Sequence, residues 1–167
     1  MTALAGVRAG SPLVEVIIES ARWGDEPGAA ATVRRAIDEA ARDCAGFEGR
    51  EVTVLLTDDE AIRALNRRWR GLDRPTNVLS FPAGGSFVAN ASTLGDIAIA
   101  FETTAREAQD AGKPVLDHVA HLAVHGFLHL LGYDHQSDET ADAMEGLERT
   151  ILSRLGVPDP YVTHQAE

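Results

Sequence analysis

The chain has 167 residues, 44% of them apolar and 25% charged, which suits one domain with a buried core and excludes a disordered polypeptide. Its formal net charge of −11 argues against binding nucleic acid through the whole surface, though not against a local basic groove. The single cysteine, Cys44, excludes an internal disulfide; with no apolar leader and no long apolar span, a cytoplasmic protein without a membrane segment is expected.

Residues 1–12 are small and polar and predict a loose N-terminus ahead of one metallohydrolase domain over 13–156. Val14 to Ile18 is a β-branched run that reads as a strand. Beyond Pro27 and Gly28, the residues Val33, Ile37, Ala40, Ala41 and Cys44 recur at helical spacing, so a helix is expected over 29–44 with Cys44 an inert side chain at its end. Val52 to Leu56 reads as a second strand. Thr57 and Asp58 then offer N-caps, with Asp59 and Glu60 in the first turn, for a helix through Trp69 that Gly71 stops.

Pro75 and Pro82 bracket a third strand, 76–81, which should lie at a sheet edge. Residues 83–94 read as a mobile loop, and Asp96 to Ala100 as a fourth strand. A helix over 103–111 ends at Gly112, Pro114 opens a long helix ending at Gly132, and a last helix runs from Ser137 to Leu155. Residues 157–167 are expected to be a flexible tail. The order is β-α-β-α-β-β followed by three helices, which predicts an α+β fold: a mixed four-stranded sheet packed against helices.

The long helix is apolar on most sides and should be largely buried, yet it carries His118, His121, His125 and His129. At about 100° per residue these fall within a stripe about 80° wide. A buried imidazole row needs partners, because an unpaired one is costly. His125 and His129, four apart, sit one turn above each other and can converge on one ion. Gly132 can then turn the chain so that His135 returns to join them. The spacing H-x3-H-x2-G-x2-H matches the metzincin zinc site, except that the glutamate of H-E-x-x-H is replaced by Gly126. Three neutral imidazoles and an open position make a catalytic zinc arrangement, one ion per chain. His118 and His121 are expected to pack or to orient the ligands, and His164 to have no role.

Lys113 is the only lysine among 15 basic residues. Five arginines, Arg63, Arg67, Arg68, Arg70 and Arg74, lie in 63–74 against Asp73 alone, a local balance of +4. Guanidinium groups grip phosphate in a bidentate fork, so this segment is a candidate phosphate-binding lip. For Arg63 and Arg67 a solvated face paired with Asp58, Asp59 and Glu60 is the simpler expectation. The general base is open: Asp134 is near in sequence, and a substrate 2′-hydroxyl is the alternative nucleophile.

The string His125-Gly-Phe-Leu-His129-Leu-Leu-Gly132-Tyr-Asp-His135 resembles the YbeY family of bacterial rRNA-maturation endoribonucleases. So do Leu65-Asn66 through Arg70-Gly71, Arg74-Pro-Thr-Asn-Val-Leu-Ser-Phe-Pro82 and Leu94-Gly-Asp-Ile-Ala-Ile99, in the expected order over roughly residues 50–135. The resemblance implies an α+β fold, zinc on His125, His129 and His135, and a functionally important arginine at Arg70. It also implies single-strand-selective cleavage of RNA in 16S rRNA 3′-end maturation and ribosome quality control, with rRNA and the ribosome as partners. Two other readings compete: a metallopeptidase sharing the zinc spacing, and a non-catalytic assembly factor in which zinc, with a fourth ligand such as His121, only stabilises the fold.

Overall fold

The computed structural model describes residues 11–45, 47–83 and 92–162. Most of the loop expected over 83–94, most of the N-terminus expected over 1–12, and the end of the expected tail with His164 lie outside the described residues. The elements follow the predicted order: β1 (Leu13–Ile18), α1 (Ala29–Ala41), β2 (Glu51–Thr57), α2 (Asp59–Arg70), β3 (Val78–Pro82), β4 (Thr93–Ala100), α3 (Phe101–Asp110), α4 (Val115–Leu130) and α5 (Asp138–Arg154).

The four strands make one mixed sheet in the order β1-β2-β4-β3. β1, β2 and β4 run parallel, and β3 is antiparallel to β4 in the register Val78↔Ile99 to Pro82↔Gly95. β3 is therefore an edge strand, where Pro82 forfeits no ladder bond. One sheet face carries Val52, Val54, Leu56, Ile97 and Ile99, all fully buried with α1 and α4 residues Val33, Ile37, Val119 and Phe127. Burying each such side chain contributes about 1.5–3 kcal/mol. On the other face, Ile62 of α2 packs with Leu79, Ala98 and Ala100 in a smaller cluster.

Element boundaries differ from the sequence pattern where tertiary pairing extends them. β4 begins at Thr93 rather than Asp96 because it is central and pairs on both sides. α1 ends at Ala41, leaving Cys44 beyond it, where burial pushes the thiol up to about 11. A 3-10 turn at Ala21–Asp25 carries no periodic signal; it exists to bury Trp23, whose Nε1 donates to the Thr57 carbonyl at 2.8 Å. Among the described residues, no helix is long and apolar enough to cross a membrane.

Candidate metal centre and groove

The long helix α4 turns His121 and His125 toward α5 and His118 toward α3. Ten of its residues are buried, among them His118, Leu122, Gly126 and Phe127. It crosses the sheet so closely that a Cβ on Gly126 would stand 2.9 Å from Ile97 Cγ2 and 3.2 Å from Ser80 Oγ. Ser80 in turn donates its hydroxyl to the Gly126 carbonyl at 3.3 Å. Glycine at this position is thus a packing requirement, and a glutamate there would displace the β4 side chain beneath it.

α4 ends at Leu130, and Gly132 adopts φ 101°, a conformation that favours glycine. Tyr133 N–H bonds back to the Leu128 carbonyl at 3.1 Å, which closes the turn. The reversal carries His135 back over the helix end. Its ring stacks on His125 at a centroid distance of 4.8 Å and an interplanar angle of 16°, and lies 5.0 Å from the His129 ring.

The three side chains converge. His125 Nε2 and His129 Nε2 are 3.1 Å apart, and one nitrogen from each of the three lies within 4.8 Å of the others. A tetrahedral zinc with bonds of ~2.0–2.1 Å separates its nitrogen ligands by about 3.3–3.4 Å, so the helical pair already has nearly the needed spacing. Burial, with the neighbouring His125 and His135, lowers the pKa of His129 and favours the neutral, ligand-competent imidazole. This donor set fits a zinc ion.

Behind the cluster stands a residue the sequence reading missed. Glu148, fully buried on α5, lies with Oε1 2.6 Å from His125 Nδ1. Its Oε2 meets His121 Nε2 at 3.3 Å and accepts a hydrogen bond from the Tyr161 hydroxyl. Burial alone would raise the carboxyl pKa; bonds from His121, His125 and Tyr161 outweigh it and hold it at about 2. Tyr161 belongs to the segment expected as a tail, yet it is half-buried here through that contact.

His121 faces Glu148 and Tyr161, with its ring 6.2 Å from that of His125, and does not join the three-histidine group. His118 turns elsewhere: its Nε2 meets Glu107 Oε1 at 2.8 Å, the same oxygen that accepts Asn77 Nδ2 at 2.8 Å. It ties α4 to α3 and to the start of β3. Asp134 accepts the Gln136 N–H at 3.1 Å, an exposed local turn.

The arginine segment divides in two. Arg63 pairs with Asp73 at 2.9 Å rather than with the acidic start of α2, because Asp58 caps that helix through Ala61 N–H and Asp59 accepts from Thr103. Among the described residues Arg67, Arg68, Arg70 and Arg74 form no salt bridge, so the pairing expected of Arg67 with the acidic start of α2 is not made. Gly71, at φ 71°, ends α2, and buried Asn66 holds the following loop by donating to the Arg74 carbonyl at 2.9 Å. Arg70 thereby sits at the rim of a groove of about 980 Å³ that also exposes Trp69, Ser80, Phe81 and all three clustered histidines. Asp96 lines the same groove, and burial raises its carboxyl pKa.

The groove is lined along β3, from Val78 to Pro82, at the edge of the sheet. Ala100 N–H bonds to Asn77 O at 2.9 Å and Ala83 N–H to Leu94 O at 3.0 Å, so by antiparallel alternation the backbone groups of Val78 and Ser80 point away from β4, where Asn77 Oδ1 accepts the Val78 N–H at 2.7 Å.

A family model described as endoribonuclease YbeY matches residues 19–156. An endoribonuclease YbeY of Rhodopseudomonas palustris is 56% identical over 154 residues, covering 90% of this chain and 81% of that protein. Those of a Bradyrhizobium species and of Methylocella silvestris are 53% and 49% identical, covering 92% and 90% of this chain and 95% and 86% of theirs. The solution structure of TM1509 from Thermotoga maritima aligns with a TM-score of 0.56 at 20% identity, over 93% of this chain and 100% of that one, and shows a shared fold.

Proposed function

Because this chain belongs to the YbeY endoribonuclease family, we propose that it is a zinc-dependent, single-strand-selective endoribonuclease acting in 16S rRNA 3′-end maturation and ribosome quality control. The observation that carries this reading is one groove lined by both Arg70 and the three converging histidines. His125, His129 and His135 would hold one zinc ion, which when bound supplies a Lewis acid and an acidified water. On this reading residues 13–156 are the metallohydrolase domain, the partners are rRNA and the ribosome, and the protein works in the cytoplasm.

The chain's own groups have separate tasks. Glu148 accepts from His125 Nδ1 and so presents Nε2 to the cluster. Arg70 offers a planar pair of donors to a phosphate whose oxygens gain negative charge during cleavage. The outward backbone groups of Ser80 and the Val78 carbonyl give an extended single strand a surface to lie along. A duplex keeps its bases stacked inside and cannot offer them along such a surface.

The competing readings are weaker on specific grounds. A peptidase of the H-E-x-x-H kind needs a glutamate where Gly126 packs on Ile97. A purely structural zinc needs a fourth ligand, and His121 is engaged with Glu148 and Tyr161 instead. The deciding experiment presents the zinc-loaded protein with a single-stranded RNA, the same RNA as a duplex, and a casein-type peptide substrate. Cleavage of the single strand alone is expected; cleavage of the peptide with RNA intact would overturn the proposal.

A further inference from the structure

We propose that Trp69 is a base-stacking subsite: its indole stacks on one nucleobase of the single strand in the groove, beside the histidine cluster. The inference rests on the endoribonuclease reading above and names how that site would select unpaired RNA. Trp69 occupies the last turn of α2 and is 62% exposed, whereas the other tryptophan, Trp23, is 2% exposed in the core. Leaving so large an apolar ring in water forgoes burial that Trp23 obtains. The ring is nevertheless held in place. Phe81 of β3 meets it edge-on, with centroids 6.3 Å apart and planes at 62°, and the Arg68 guanidinium lies over it at 5.2 Å.

Holding the fold does not require an indole at this position, since the residue stays largely exposed despite these two contacts. Three features point instead to a nucleobase. Trp69 and Phe81 line the same groove as Arg70 and the three histidines, so a bound strand would pass them. Arg68, over the ring, and Arg70, next to Trp69 in sequence and lining the same groove, form no salt bridge among the described residues, which leaves their charges for the phosphates of a bound strand. An aromatic face rewards only a base free of its neighbours, which a single strand offers and a duplex does not.

The test uses the full-length protein, a 2′-O-methyl single-stranded oligonucleotide of mixed sequence carrying a dye, and an abasic strand of equal length and charge. Binding is read by dye anisotropy and, separately, by tryptophan emission. Base-containing strand should quench the emission saturably, and abasic strand should bind more weakly without quenching. Trp69→Leu should abolish most of the quenching and weaken binding of the base-containing strand by about 5- to 150-fold, with melting temperature and zinc content kept. Trp69→Tyr, which retains a stacking face, should recover most of the affinity. Wild-type affinity in Trp69→Leu, or equal binding of the two strands by the unaltered protein, would overturn the subsite while leaving the endoribonuclease reading standing. Failure of both strands to bind the unaltered protein would overturn both.

Discussion

Glu148 Oε1 stands 2.6 Å from His125 Nδ1, so a carboxylate on α5 fixes which nitrogen of an α4 imidazole faces the histidine cluster. Such carboxylate–imidazole pairs set the tautomer and raise ligand basicity. Replacing Glu148 by Gln keeps the shape but removes the charge. Zinc affinity, measured by competition with a chromophoric chelator, should fall about 10- to 100-fold. Unchanged affinity would make Glu148 a packing residue only.

Glu148 also shows where sequence reasoning stops. The i, i+4 histidines, the glycine turn and His135 are local features, legible because one helical turn and one glycine reversal bring them together. The partner on α5 is distant in sequence and arrives by tertiary packing. A signal existed: Glu148 lies on the buried stripe of Met144, Ile151 and Leu152, where an unpaired carboxylate would be costly. Tyr161 gave no such sign, since its neighbours Pro158, Asp159 and Pro160 read as tail. The strand and helix order was readable throughout, because periodicity and the Gly, Pro and Asp punctuation agree; the 3-10 turn around Trp23 was not, being too short for a period.

Acid should destabilise the metal-free protein in two stages. His118 and His129 have folded pKa values lowered chiefly by burial, so the unfolded chain binds more protons as pH falls through about 6.5. Stability is therefore lost there on acidification. Glu148, held at about 2 against an ordinary 4.5, contributes stability that is present above 4.5 and lost as pH falls toward 2. Melting temperature against pH should show both losses, and Glu148→Gln should lack the lower one. A variant profile parallel to the unaltered protein below pH 4.5 would contradict the assignment.

Gly126→Ala should cost about 1–3 kcal/mol of stability, because its Cβ would stand 2.9 Å from Ile97 Cγ2 in a packed core. Denaturant unfolding reads this directly. Gly126→Glu, which restores the H-E-x-x-H string, should be less stable still and acquire no casein cleavage. A stable, peptide-cleaving Gly126→Glu would show that the packing against β4 does not decide the chemistry.

Arg70→Lys should keep the fold and the zinc, since the side chain forms no salt bridge among the described residues, yet lose much of the RNA cleavage. An ammonium cannot reproduce the two-pronged grip on phosphate. Arg70→Ala should lose about 100- to 1,000-fold in kcat if the group stabilises developing charge. Full activity in either variant would remove Arg70 from the site.

The account turns on three histidines holding one zinc that RNA cleavage requires, and His129→Ala addresses it most directly. Zinc per chain and cleavage of a single-stranded RNA are measured on the same preparations, before and after chelation and zinc return. The unaltered protein should carry one zinc, lose cleavage on chelation and regain it with zinc, whereas His129→Ala should bind zinc poorly and stay inactive when zinc is added. A His129→Ala protein with a full complement of zinc and undiminished cleavage would contradict the account.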